Sequence, residues 1–182
     1  KRRVDDGSFG WHSVNGGTPI VWLPILEQSN VKTVRRLSGR LMRRYPGMDL
    51  FAVKIDVSSG YKIIPLNVLD QLLCCFRFDE KVYKHLRLCF GVRSGVHIFT
   101  RCITNPIVWV VSQLSMIRIK SQADFDTAMI KVGNGTAPPY VEDLARYLIA
   151  GYIDDFWGEA HLEELADECL FVYKCLFKRW GI

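Results

Sequence analysis

Two short apolar runs meet at a pair of adjacent carboxylates in Arg146-Tyr-Leu-Ile-Ala-Gly-Tyr-Ile-Asp-Asp-Phe-Trp157. No other stretch restricts the fold as strongly. Runs of strand-forming residues on either side of a polar doublet predict a β-hairpin with acids at or beside its turn. Neighbouring carboxylates repel, so the doublet is either a solvated turn, where Asp is common, or part of a site for a hard divalent cation.

A second carboxylate site comes from Leu50-Phe-Ala-Val-Lys-Ile-Asp56. This run is apolar on both faces, which predicts a central strand of a covered sheet ending in Asp56. If this strand and the hairpin share a sheet, Asp56, Asp154 and Asp155 converge at one edge. Three carboxylates on a phosphate-binding surface point to two bound Mg²⁺ ions, Mn²⁺ being the alternative. Such a pair stabilises both oxygens of an in-line phosphoryl displacement.

Charge is informative by its distribution. The net value is only +5, yet Lys32, Arg35, Arg36, Arg40, Arg43 and Arg44 fall in one segment without an acid. On a helical wheel they oppose Val31, Val34, Leu37, Leu41 and Met42, with Ser29 or Asn30 as cap and Tyr45-Pro-Gly47 as the end. This is the pattern of a solvated helix or of a phosphate-backbone contact, with Lys32, Arg36 and Arg40 as candidate nucleic-acid ligands.

The rest of the chain supplies support. Leu72 to Phe78 and Val82 to Phe90 predict a hairpin around Asp79-Glu-Lys81. Ser94 is placed to cap a helix from Gly95 that kinks or ends early at Pro106. Lys120 to Asp143 reads as a loop-rich connection. Leu162, Leu165, Ala166, Cys169, Val172, Tyr173, Leu176 and Phe177 predict an amphipathic helix running to a Gly181 cap. The six cysteines form no Cys-x-x-Cys pair, which argues against zinc and for a reduced intracellular setting, cytoplasm or nucleus. No apolar stretch is long enough for a membrane span.

Four strings in order carry a family resemblance. Phe51-Ala-Val-Lys-Ile-Asp-Val-Ser-Ser-Gly-Tyr-Lys-Ile-Ile-Pro-Leu66 resembles motif A of reverse transcriptases. Leu88-Cys-Phe-Gly-Val-Arg-Ser-Gly-Val-His-Ile-Phe99 resembles motif B, Tyr152-Ile-Asp-Asp155 motif C, and Leu176-Phe-Lys-Arg-Trp-Gly-Ile182 the start of motif D. Ser13-Val-Asn-Gly-Gly17 is similar to DIRS-like retroelements, with gypsy-like elements the alternative.

The resemblance implies an α+β fingers-and-palm core, with an antiparallel palm sheet of three or four strands backed by helices. Fingers would occupy about 1–18 and 64–93 and palm about 19–63 and 94–182, with no thumb in the span. It implies an RNA-directed DNA polymerase acting on an RNA (or DNA) template, a DNA primer and dNTPs, the alternative being a decayed palm that binds nucleic acid without catalysis. Asp56, Asp154 and Asp155 become metal ligands, joined by the Val57 carbonyl. Val57, Ser58, Ser59 and Gly60 would offer amides to the triphosphate. Tyr61 would exclude a 2′-hydroxyl, and Phe90, Gly91 and Arg93 would line the nucleotide pocket. Arg2 or Arg3 would grip the triphosphate, and Tyr152 and Ile153 would pack on the primer end. RNA-dependent RNA polymerases fit less well, since they carry Asp in place of Tyr61 and Gly in place of Ile153. Cys89 and Val96 depart from the family, each standing where Pro is usual.

Overall fold

The computed structural model describes Asn15 and residues 29–58, 60–92 and 94–182. The chain divides into two compact units, Gln28–Val57 with Ile103–Ile182, and Ser58–Cys102 with Lys1–Glu27. Both mix helices with small antiparallel sheets.

The larger unit begins with helix α1, Val31–Arg44. Asn30 starts it through a capping box: its Oδ1 accepts from the amides of Lys32 and Thr33, and the Thr33 hydroxyl accepts from the Asn30 amide. Pro46 and Gly47, the latter at φ 77°, follow the last turn and prevent continuation. Leu37 and Leu41 are buried against Ala145, Leu148 and Ala150. Val31 and Met42, expected on the same apolar side, are instead exposed at 75% and 58%. Only the Val34–Leu37–Leu41 stripe meets the sheet, so the buried face is narrower than the wheel suggests.

Three strands form that sheet in the order β1-β5-β4, with β1 at Phe51–Asp56, β4 at Leu148–Tyr152 and β5 at Asp155–Ala160. Strand β1 is therefore an edge strand among the described residues, not the central one its apolar run predicts. Its burial alternates, with Ala52, Lys54 and Asp56 exposed. The hairpin partner β5 takes the centre because it pairs with β1 on one side and β4 on the other.

The opposite face of the sheet packs on helices. Helix α6, Glu163–Trp180, carries acids in its first turn and Lys178 and Arg179 in its last, and Gly181 closes it at φ 71°. Phe156 reaches Tyr173 and Phe177, each at 5.7 Å between ring centroids. Gly158 permits α6 to approach: a Cβ there would stand 2.5 Å from Cys169 Sγ. Helix α4, Asn105–Leu114, likewise presses Val108 onto Gly151.

Residues 95–114 show how a proline is accommodated. Helix α3, Gly95–Phe99, passes into a π-helical turn, Thr100–Thr104, before α4 begins with Pro106 at its start. The wide turn leaves Pro106 in the first turn of a new helix, where its missing amide costs nothing. Residues 120–143 are not loop-rich as predicted. Helix α5 occupies Gln122–Gly133, started by the Ser121 hydroxyl accepting from the Asp124 amide. Its polarity reflects a partly exposed helix with only Phe125, Ala128 and Val132 buried.

In the smaller unit the predicted strand from Leu72 begins as helix α2, Val68–Leu73, capped by Asn67. The hairpin is shorter than predicted, with β2 at Cys75–Phe78 and β3 at Lys81–Lys84. None of the six cysteines is joined in a disulfide among the described residues. Among the described residues, no helix is long and apolar enough to cross a membrane.

Candidate active site

Ladder register brings the predicted carboxylates together. Asp56 on β1 stands opposite Asp155 on β5, and Asp155 stands opposite Tyr152 on β4. Residues paired directly across strands share a face, so Tyr152, Asp155 and Asp56 form one row at the end of the sheet. Asp154 sits in the turn beside them, and its carbonyl accepts from the Val57 amide at 3.0 Å. That bond extends the β1–β5 ladder one step past the strands and ties both acidic segments into one framework.

The turn itself is under strain. Only Ile153 and Asp154 separate β4 from β5, and Ile153 has φ 54°. A β-branched side chain is disfavoured in that region, where a two-residue hairpin ordinarily places Gly. Such a residue costs on the order of 1–3 kcal/mol and persists only where its surroundings hold it. Here the Thr104 hydroxyl donates to the Ile153 carbonyl at 2.6 Å, anchoring the turn to the π-helical segment.

Two residues behind Asp56 on the same face, Lys54 Nζ lies 3.0 Å from Asp155 Oδ1. Its hydrogen bond to Asp155, and then the field of Asp155, Asp56 and Asp154, raise its pKa above the ordinary value. Within its apolar run Lys54 carries no sign of a site; the two-residue period from Asp56 is the signal that places it on the acidic face. Thr104 carried no local signal, because its partner lies far along the chain.

Beside this row a cavity of about 520 Å³ opens between the first turn of α1 and the strands. Lys54, Tyr152, Asp155 and Trp157 line one wall, and Asn30, Val31 and Val34 another. Tyr152 is half exposed there.

The oxygen donors of Asp56, Asp154, Asp155 and the Val57 carbonyl match the hard character of Mg²⁺. Among the described residues, however, no three His, Cys, Asp or Glu side chains are grouped to hold an ion as they stand. The register supplies the donors; the Lys54 contact occupies one of them.

The basic residues of α1 divide into two sets. Arg36 and Arg40 both pair with Glu142, and Arg40 also approaches Asp143 at 3.6 Å. Lys32, Arg35 and Arg43 make no ion pair among the described residues and are exposed. Arg36 and Arg40, expected to meet phosphate, are thus engaged by acids of the segment before β4.

Of the described residues predicted to line the nucleotide pocket, Val57 belongs to the larger unit and the others to the smaller one. Gly60 and Tyr61 form a 3₁₀ turn spanning Gly60–Ile63, and Tyr61 is buried with its ring edge-on to Phe90 at 4.9 Å and Phe99 at 5.2 Å. The Gly91 carbonyl accepts from the Asn15 side-chain amide at 2.6 Å, a bond that sequence reading did not anticipate. Val57 is buried and Ser58 exposed. Arg2, Arg3, Ser59 and Arg93 lie outside the described residues. No protein-family model and no curated protein matches this chain.

Proposed function

We propose that this chain is the fingers-and-palm core of a retroelement reverse transcriptase, an RNA-directed DNA polymerase that joins dNTPs to a primer 3′-hydroxyl. One observation carries the reading. Asp56 ends a strand whose partner register places it opposite Asp155, beside Asp154, although the acids are far apart in sequence. The motif order around them, and an antiparallel three-stranded sheet with helices on its back, support it.

Asp56, Asp154, Asp155 and the Val57 carbonyl would hold two Mg²⁺ ions. Bound there, those ions would neutralise the triphosphate and the charge developing as the primer oxygen attacks the α-phosphate and pyrophosphate leaves. The chain's own residues do the positioning. The Val57–Asp154 bond fixes the spacing of the two acidic segments, and the Thr104 hydroxyl holds the strained turn. Lys54 orients Asp155 and offsets its charge until a cation arrives. Tyr61, wedged by Phe90 and Phe99, would select against a 2′-hydroxyl.

The Lys54–Asp155 pair favours a second reading, a palm-type module that binds nucleic acid without catalysis. Primer extension on poly(rA)/oligo(dT) with Mg²⁺ or Mn²⁺ separates the two. The chain, a version extended at its C terminus, and Asp154→Asn in each would be compared. Extension lost in the mutant supports the polymerase. Nucleic-acid binding with no extension in either version sinks it.

A further inference from the structure

The β2–β3 hairpin of the smaller unit exposes aromatic rings where a folded surface would ordinarily bury them. Phe76 stands opposite Tyr83, and Phe78 opposite Lys81. These two tiers lie on one face, about 7 Å apart along the strands. Phe76 and Tyr83 stack at 5.5 Å with planes 17° apart, and His85 continues the row at 4.8 Å from Phe76. Phe78 is 63% exposed and Tyr83 42%.

Cations surround these rings. Arg77 is taken up by Glu80. Lys62, Lys81, Lys84 and Arg87 make no ion pair among the described residues, and Lys62, Lys84 and Arg87 edge a cavity of about 360 Å³ that Phe76 and His85 also line. Flat rings interleaved with unpaired cations suit a ligand with π-faces and a regular negative charge. A purely apolar protein partner would leave four cations to be desolvated without return.

We propose that this hairpin is a stacking platform for single-stranded nucleic acid, with bases laid on Phe78 and Tyr83 and phosphates met by Lys81, which shares their face. Duplex would not serve, because its bases are already stacked and their faces closed. Binding here needs none of the three carboxylates, so it stands apart from the polymerase reading and survives that reading's failure.

Fluorescence anisotropy of labelled oligo(dT) and of a blunt duplex, titrated with the whole chain, tests this. Phe78→Ala and Tyr83→Ala should each weaken single-strand binding at least about fivefold and leave duplex binding unchanged. Lys81→Ala should reduce the slope of log affinity against log salt by about 0.7. Trp109→Ala, an exposed aromatic of α4, should change nothing. If either aromatic variant loses its thermal transition, Lys81→Ala decides. Wild-type affinity in the lysine and aromatic variants, or no single-strand binding at all, overturns the platform. So does salt-insensitive self-association that Phe78→Ala abolishes, which would make the patch a protein contact.

Discussion

Lys54 reaches diagonally across the β1–β5 ladder to Asp155, with Nζ 3.0 Å from Oδ1, on the same face as Asp56. A cation entering this site competes with the ammonium for the same oxygen. Lys54→Met should therefore tighten Mn²⁺ binding by about two- to fivefold at low ionic strength, the scale expected of an exposed ion pair. Calorimetric titration reads this directly. Weaker binding in the variant would mean that Lys54 helps to build the site.

Ile153 holds φ 54° only because its turn is tied down. Ile153→Gly should raise stability by about 1 kcal/mol, the relieved strain exceeding the entropy that Gly adds to the unfolded chain. Thermal melting measures it. Slower primer extension in the same variant would show that strain holds the acids in position.

Gly158 lies where α6 meets the sheet, and an added Cβ would fall 2.5 Å from Cys169 Sγ and 2.9 Å from Val53 Cγ2. Gly158→Ala should cost about 1–3 kcal/mol by overpacking. Adding Cys169→Ala should return part of that loss. Strict additivity in urea melts would show that the sulfur is not the obstacle.

Arg146 and Glu168 form a two-pronged pair, Nε to Oε1 at 3.0 Å and a terminal amino group to Oε2 at 2.8 Å. Glu168 Oε1 also accepts from the Ile119 amide at 3.2 Å. One largely buried carboxylate thus joins α6, the entry to β4 and the segment after α4. Glu168→Ala should cost roughly 3–5 kcal/mol, because it strands Arg146 and a buried amide. A shift in urea midpoint below about 1 kcal/mol would show that water satisfies both.

His161 stacks on Tyr45 at 3.5 Å, and its pKa lies below the ordinary 6.5 because burial, and secondarily Arg44, penalise the imidazolium. The unfolded chain protonates it near 6.5; the folded chain does so only at lower pH. Between those values the unfolded state binds more protons. Stability from this contact is complete above 6.5 and falls as pH drops through that window. His161→Phe keeps the stacking and should flatten the profile between about pH 7.5 and about pH 5.5 in urea melts. An unchanged profile would assign the dependence elsewhere.

Elements defined by local rules were legible in the chain. Asn30 and the Tyr45-Pro-Gly47 stop delimit α1, Gly181 ends α6, and Ile153-Asp154 joins two strands. Helix α5 was missed because its polar exterior and the glycines near its end outweigh three buried residues in a short reading window. Helix α2 is not legible because Leu72 and Leu73 look like the start of a strand, yet neither is buried and Asn67 caps a helix instead.

The carboxylates themselves, their order and their hairpin were determined by the sequence, since turn chemistry and side-chain period are local properties. Which strand lies between which, that Asp56 faces Asp155, that Lys54 occupies one of the acids, and that Glu142 takes Arg36 and Arg40 were decided only by tertiary structure. Each depends on groups distant along the chain meeting at separations of a few ångströms. Strand pairing and packing set those separations, and no pattern within a single segment encodes them.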